Sequence, residues 1–211
     1  FYDDITGATT VVYAEYGYGS TPHCILYNDL AIPQATNICA LPGGPIALAQ
    51  ALSIQNPYHM RYTNDFPIGF AVKDSNGKVI YAHNSGPAWN SPRIFIYSEY
   101  NPGVMQRIGT NQPAYLMDIK AKPTGGAIIF YYELNGANGQ DAFIYDTSTA
   151  TTTNISNLGS GSGGIVTGTG KLIIDTIGQI HVLWGEGANT NDMSLYYYSS
   201  NSGLVKDLSS Y

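Results

Sequence analysis

The sequence is poor in charge. Only 11% of its 211 residues are Asp, Glu, Lys or Arg, which is roughly half the proportion in an average globular protein. The formal net charge is −6, and no basic run exceeds two residues. Because a protein that binds a phosphate backbone or an anionic membrane face needs clustered Lys and Arg, we expect neither nucleic acid nor a membrane as a partner.

Long apolar runs and cysteine are also scarce. No stretch approaches the roughly 18–20 consecutive apolar residues of a transmembrane helix, the longest candidate being the interrupted Pro45–Ile54. The two cysteines, Cys24 and Cys39, are symmetric about Ala31–Ile32, so two strands folded back between them would bring them together. This predicts a disulfide and an oxidising compartment rather than a zinc site. The chain starts at Phe1, so we expect a mature secreted or surface protein whose signal peptide was removed.

Tyrosine and glycine are abundant instead, with 18 and 24 residues. Aromatic and β-branched side chains pack well on pleated sheets, while Gly and Asn form tight turns. The composition therefore predicts an all-β protein whose surface is covered mainly by Ser, Thr, Asn, Gln and Tyr.

Four similar segments recur along the chain, each formed by two short matches separated by a polar loop. The first matches are Val12–Glu15, Ile80–His83, Phe130–Glu133 and Leu183–Glu186, and the second are Ile25–Asn28, Phe95–Ser98, Phe143–Asp146 and Tyr196–Ser199. The fourth residue of the first match precedes the Tyr of the second by 12, 14, 12 and 12 positions. Such regular spacing indicates a repeated structural unit.

Turn sequences precede the first matches, as at Asp74–Gly77, Pro123–Gly126 and Asp175–Gly178. Each unit therefore reads as four antiparallel strands, and four such units predict a small β-propeller of four blades within a single domain, residues 1–211. The units cover about 1–40, 59–109, 114–157 and 166–211, with an insertion at 41–58 in which Pro45–Gln55 is a candidate short helix. A β-sandwich or jelly roll is the alternative fold.

The fourth unit, Asp175–Trp184 followed by Ser194–Gly203, resembles a blade of the sialidase-like propeller superfamily, and Asp74–Tyr81 in the second unit is a weaker match. The resemblance implies a propeller fold. The Ser-x-Asp-x-Gly-x-Thr-Trp turn of that family is absent, and the three arginines, Arg61, Arg93 and Arg107, all lie in the second unit. Four units instead resemble the closure of hemopexin-like propellers.

Three of the four Glu residues fall at one repeated position. On a propeller this position would place Glu15, His83, Glu133 and Glu186 around one rim, beside Tyr13, Tyr81, Tyr131 and Trp184. Aromatic faces and carboxylates of this kind bind sugars, and calcium is an alternative ligand because it prefers oxygen donors. The competing interpretation is that each Glu accepts backbone N–H bonds and holds a turn.

These observations favour a secreted, non-catalytic recognition or adhesion module that binds a glycan or another extracellular ligand. A structural subunit of an extracellular fibre or surface layer is the second hypothesis, since a charge-poor surface permits strand edges to self-associate. A glycoside hydrolase with two opposed carboxylates is the third. The sequence indicates no catalytic residues, and we expect no enzyme activity and no cofactor other than calcium.

Overall fold

The computed structural model describes residues 11–15, 23–27, 35–37, 41–43, 58–59, 69–86, 92–135, 139–156, 165–189 and 192–209, which are almost entirely β-strands and turns. No helix in these ranges is long and apolar enough to cross a lipid bilayer. The candidate helix Pro45–Gln55 lies outside the described residues.

The strands in these ranges are β1 Val11–Glu15, β2 His23–Tyr27, β3 Ala35–Asn37, β4 Tyr58–His59, β5 Gly69–Lys73, β6 Val79–Gly86, β7 Arg93–Ser98, β8 Met105–Ile108, β9 Ala114–Ala121, β10 Ala127–Leu134, β11 Gln140–Asp146, β12 Thr151–Asn154, β13 Ile165–Ile174, β14 Ile180–Asn189, β15 Asp192–Ser199 and β16 Leu204–Asp207.

The strands form four sheets, all paired antiparallel. Sheet 1 is β1-β2-β3; sheet 2 is β4-β6-β7-β8, with β5 also paired to β6; sheet 3 is β9-β10-β11-β12; and sheet 4 is β13-β14-β15-β16. Apart from β4, which begins in the predicted insertion, each sheet draws its strands from one repeat unit. The prediction of an all-β fold built from antiparallel sheets is confirmed.

The predicted turns join β5 to β6 in sheet 2, β9 to β10 in sheet 3 and β13 to β14 in sheet 4. In each turn a glycine with positive φ donates its N–H to the carbonyl three residues earlier: Gly77 to Asp74, Gly125 to Lys122, and Gly178 to Asp175. In the first and last of these turns the Asp carboxylate also accepts the backbone N–H groups two and four residues later. Local side-chain bonds of this kind stabilise the turn.

Sheets 2, 3 and 4 stack face to face, with β9 in contact with both β5 and β13. Alternate residues along β10 enter two different cores, because successive side chains of a strand point to opposite faces. Ile129 and Tyr131 pack against sheet 2, whereas Ile128, Phe130 and Tyr132 pack against sheet 4. Sheet 3 is therefore buried on both faces.

The two cores are strongly apolar. The core between sheets 2 and 3 contains Ile80, Ala82, Ile94, Ile96, Ile108, Ala114, Leu116, Ile119, Ala127, Ile129, Tyr131 and Tyr145. The core between sheets 3 and 4 contains Met117, Ile128, Phe130, Tyr132, Ala142, Ile144, Ile155, Leu172, Val182, Trp184 and Tyr198. A third cluster covers the opposite face of sheet 2 and includes Leu41: Val79, Tyr81, Phe95, Tyr97 and Met105.

A stacked pair of rings on neighbouring strands shows how the units correspond. In sheets 2, 3 and 4 a residue of β6, β10 or β14 stacks on the residue opposite it in β7, β11 or β15, respectively. The pairs are His83 with Phe95, Tyr131 with Phe143, and Trp184 with Tyr196. The structural equivalents of His83 are therefore Tyr131 in sheet 3 and Trp184 in sheet 4. They are not Glu133 and Glu186.

The sequence alignment of the second unit is corrected by two residues. Ser85 is the residue of β6 that occupies the strand position of Glu133 and Glu186, since it pairs with the residue two before the stacked ring of the third strand. Ser85 precedes Tyr97 by 12 positions, which removes the one irregular spacing in the repeat. Apolar residues alternate along β6 in both alignments. Periodicity alone therefore does not distinguish the correct alignment from the one that is wrong by two residues.

Polar groups also join neighbouring sheets. The Asn84 side chain on β6 donates to the Ala114 carbonyl and accepts the Leu116 N–H, both on β9, at 3.0 and 2.8 Å. At the turns, Asp74 Oδ2 accepts the Gly126 N–H of sheet 3 at 2.6 Å. Buried polar groups are thus paired across the sheet boundary, which avoids the cost of leaving them unsatisfied.

Gly170 on β13 is required for close packing of sheets 3 and 4. A Cβ atom at this position would lie 2.4 Å from Phe130 Cε1 and 2.8 Å from the Tyr132 hydroxyl, and both rings are fully buried. We expect Gly170→Ala to lower the free energy of unfolding by about 1–3 kcal/mol, measured by urea denaturation. Gly103→Ala is the matched control because its Cβ would meet nothing within 4 Å; equal losses in both variants would contradict this account.

The free energy of unfolding should fall at acid pH partly because the Asp74 carboxylate becomes protonated. Burial alone would raise the pKa of this carboxyl, but hydrogen bonds from the Tyr100 hydroxyl and from backbone N–H groups hold its pKa below the ordinary value. Folding therefore favours the ionised form, so its stabilisation is complete above the unfolded pKa of about 3.9 and is lost as pH falls through the lower folded pKa. Asp74→Asn should be less stable than wild type at neutral pH, and urea denaturation should show the difference narrowing towards pH 3. A difference independent of pH would refute this role.

Candidate functional site

Glu133, near the end of β10, holds the segment that connects sheet 2 to sheet 3. Its carboxylate is buried and accepts the Thr110 N–H at 2.6 Å as well as the Thr110 hydroxyl. Gly109, with a φ of +81°, passes so close that a Cβ would lie 2.9 Å from Glu133 Oε2. This carboxylate holds a connection in place, as the competing interpretation of the repeated Glu proposed.

Glu186, at the same position on β14, holds the end of sheet 3. Its Oε2 atom accepts the Ser156 hydroxyl at 2.9 Å and the Trp184 indole N–H at 3.0 Å. Ser156 Oγ also accepts the Ala142 N–H at 2.8 Å. Each of the two Glu residues therefore binds the segment that follows the last strand of the preceding sheet.

The other predicted site residues are also buried where their side chains are described. Tyr81, His83, Tyr131 and Trp184 are buried, and Trp184 and Tyr131 take part in the stacked pairs. Tyr13 and Glu15 lie on β1 opposite Ile25 and His23. The role of these residues in binding a ligand stays a prediction; for Tyr131 and Trp184 it would require neighbouring sheets to separate.

The predicted disulfide and calcium site are likewise unsettled. Cys24 lies on β2 opposite Ala14, and Cys39 is outside the described residues. In the described ranges, no group of three or more His, Cys, Asp and Glu residues is arranged to hold a metal ion. Both expectations remain predictions.

Two arginines converge at the loop end of sheet 2, close to the connection into sheet 3. Arg93 donates to the Pro92 and Asn111 carbonyls, and Arg107 donates to the Asn111 side chain at 3.0 Å. Arg107, Asn111 and the neighbouring Gln112 are exposed. We call Arg93, Arg107 and Asn111 the arginine cluster; it presents planar N–H and amide groups to solvent.

The two positive charges of the arginine cluster, on Arg93 and Arg107, repel each other. The pKa of Arg93 is lowered, first by burial and then by repulsion from Arg107, while the negative charge of Glu133 acts in the opposite direction. An oxygen-rich ligand that accepts hydrogen bonds from both guanidinium groups would relieve part of this repulsion.

The repeat units differ in charge at the positions of Arg93 and Arg107. At the positions of Arg93 and Arg107, sheet 3 carries Asp141 and Asn154, which are hydrogen-bonded to each other at 2.9 Å. Sheet 4 carries Ser194 and Asp207 there. Sequence analysis located these arginines in one unit, but their convergence on Asn111 depends on the path of the connection and had no signal in the repeat.

Comparison with known proteins gives no family. No protein-family model and no curated protein sequence matches the chain. A fucose lectin from Kordia zhangzhouensis, solved with methyl-fucoside, matches at a TM-score of 0.42 and 13% identity over 63% of this chain and 92% of the lectin chain. TolB from Acinetobacter baumannii matches at 0.43 and 14% identity over 94% of this chain and 40% of TolB, so the chain spans less than half of that protein. Similarity at this level assigns neither a family nor a ligand.

The Ser156–Glu186 contact gives a direct test of the structural role of the repeated Glu. Ser156→Ala removes a hydroxyl that both donates to Glu186 and accepts from Ala142, which leaves buried polar groups unsatisfied. We expect a loss of about 1–3 kcal/mol in the free energy of unfolding. The exposed turn residue Ser75 supplies the control, since Ser75→Ala should change stability by less than about 0.5 kcal/mol. A silent Ser156→Ala would show that the contact stabilises nothing.

Proposed function

We propose that the chain is a non-catalytic recognition module, a four-bladed β-propeller that binds carbohydrate at the arginine cluster. The observation that carries the proposal is the convergence of two guanidinium groups on the exposed Asn111 at the loop end of sheet 2. Guanidinium and amide groups supply the directional donors and acceptors that sugar hydroxyls require. A single hydrogen bond within the described residues, to Asn111, uses only one of the five N–H donors of Arg107.

The four-bladed ring is supported by the stacking of the repeated sheets. Strands β5–β8, β9–β12 and β13–β16 each form an antiparallel meander from one unit, and β9, the first strand of its meander, contacts the first strands β5 and β13 of the other two. Successive meanders whose first strands lie together are the arrangement of propeller blades around an axis.

A binding role fits the carboxylates better than catalysis does. A hydrolase of the retaining or inverting type needs two carboxyl groups facing one cleft. Glu133 and Glu186 are buried in separate contacts between sheets, where each accepts hydrogen bonds from the protein itself. A secreted or cell-surface location is part of the proposal, because a charge-poor, Tyr- and Asn-rich surface suits weak, multivalent contact with glycans.

Replacement of Arg107 tests the proposed site. Glycan-array screening of the wild type should identify a bound sugar, and isothermal titration should then show Arg107→Ala weakening its binding at least about tenfold, equivalent to 1.4 kcal/mol. Lys78→Ala is the control: Lys78 is an exposed cation in the turn between β5 and β6. Equal affinity in wild type and Arg107→Ala, or no glycan bound by the wild type, would refute the site.

A structural subunit of an extracellular assembly is the second candidate. It is favoured by the exposed apolar side chains on sheet 4, Ile173, Leu183 and Leu195, because such a face can pair with another molecule. Assembly that increases with protein concentration would support this candidate.

A further inference from the structure

The loop of residues 109–112, which connects β8 to β9, carries the residue on which both arginines converge; we call it the Asn111 loop. The Asn111 carbonyl accepts a hydrogen bond from Arg93, and the Asn111 side chain accepts one from Arg107 at 3.0 Å. An unrestrained arginine side chain has many rotamers, and a shared hydrogen-bond partner limits them. The position of Asn111 therefore sets the position of the two guanidinium groups.

The Asn111 loop belongs to the unit of sheet 2, but a carboxylate of sheet 3 holds it. Glu133 on β10 accepts both the N–H and the hydroxyl of Thr110. Thr110 Oγ in turn accepts the Gln112 N–H at 3.2 Å. The residues on either side of Asn111 are thus joined by hydrogen bonds to one carboxylate.

Glu133 is placed to hold the loop firmly. Its side chain is 2% exposed, and hydrogen bonds to a carboxylate shielded from water are roughly twice as strong as those between neutral groups. The backbone at Gly109 also passes against Oε2 of the same carboxylate. The negative charge of Glu133 offsets part of the repulsion between Arg93 and Arg107. This buried residue therefore acts on the arginine cluster through the loop and through its charge.

The equivalent contact at the next sheet boundary shows which part of this arrangement packing requires. Ser156 follows β12 as Thr110 follows β8, and it donates its hydroxyl to Glu186, which occupies the strand position of Glu133. Ser156 is 1% exposed, and its hydroxyl accepts the Ala142 N–H of its own sheet. Thr110 is exposed, and its hydroxyl accepts an N–H of the Asn111 loop instead. Packing accounts for the contact between carboxylate and hydroxyl at both boundaries, and at Thr110 this contact is extended into a loop with exposed side chains.

We propose that Glu133 is a positioning residue for glycan binding: through Thr110 it fixes the Asn111 loop and, with it, the two guanidinium groups that contact the sugar. This inference rests on the carbohydrate site of the proposed function and adds to that site a residue that touches no ligand. Because Glu133 lies on sheet 3 and the arginines lie on sheet 2, the site is complete only when the two sheets are packed together. Glycan binding and the packing of these sheets are therefore coupled, and each stabilises the other by the same free energy.

Substitution of Thr110 tests the proposal while the arginines stay in place. The probe is the glycan that the wild type binds most tightly on the array. Thr110→Val removes the hydroxyl that joins Glu133 to Gln112, and isothermal titration should show binding weakened by about fivefold or more. Thr110→Ser keeps the hydroxyl and should bind within about twofold of the wild type. Unchanged affinity in Thr110→Val would overturn the positioning role.

Ser156→Ala is the matched control for loss of stability. It removes the equivalent hydroxyl at the boundary of sheets 3 and 4, outside the arginine cluster. It should lower the free energy of unfolding and leave the glycan affinity within about twofold of the wild type. If Glu133 served packing alone, Thr110→Val and Ser156→Ala would weaken glycan binding equally, so equal losses of affinity would also overturn the proposal.

NMR relaxation of the unliganded protein reports on the loop without any glycan. The backbone order parameter of Asn111 should be near 0.85 in the wild type, Thr110→Ser and Ser156→Ala, and should fall below about 0.6 in Thr110→Val and Glu133→Gln. An order parameter unchanged in Thr110→Val would show that the contact with Glu133 does not fix the loop, whatever the wild type binds. If Glu133→Gln does not fold, the two Thr110 variants decide.

Failure of this inference is distinguishable from failure of the carbohydrate site. Loss of glycan binding in Arg107→Ala together with full binding in Thr110→Val would overturn the positioning role and keep the site. A wild type that binds no glycan would refute the site and, with it, the role of Glu133 in binding, whereas the order parameters would still show whether Glu133 anchors the Asn111 loop.

Discussion

The structure depends on sheets that are apolar on both faces. A solvated antiparallel sheet alternates apolar and polar residues, whereas β10 contributes buried side chains to the cores on both its sides. Burial of apolar area at about 25 cal/mol per Å² is the dominant favourable term in folding. A sheet with two such faces is stable only between two partners, so one unit cannot fold in isolation and the units must stack.

Stacking creates a second constraint, because strand ends and connections lose water when sheets approach. The polar residues that recur in the repeat meet this constraint. Glu133 binds Thr110, Glu186 binds Ser156, and Asn84 pairs with the backbone of β9. Buried carboxylates and amides are tolerated when hydrogen-bonded, which explains how Glu133 and Glu186 can both be buried at one repeated strand position, each bound to its own connection.

Sequence reasoning recovered the all-β fold, its antiparallel sheets and the turns of sheets 2, 3 and 4, because these follow from local alternation and from turn residues such as Gly77 and Gly178. It misaligned the second unit by two residues, since a shift of two preserves alternation and keeps the same face inward. It also left open whether the repeated Glu face a ligand or hold a connection. Only the path of the backbone outside the strands, at Thr110 and Ser156, separates these alternatives.

Some positions hold similar residues in several units of the repeat, and others differ from unit to unit. These two kinds of position carry different information. Positions under the same packing constraint hold similar side chains, as the stacked rings of sheets 2, 3 and 4 and the buried Glu133 and Glu186 do. The positions of Arg93 and Arg107 instead carry Asp141 and Asn154 in sheet 3 and Ser194 and Asp207 in sheet 4. Since three different pairs satisfy the same place in the fold, packing does not dictate the arginines. A ligand is the constraint that would select them, and it would do so in only one unit.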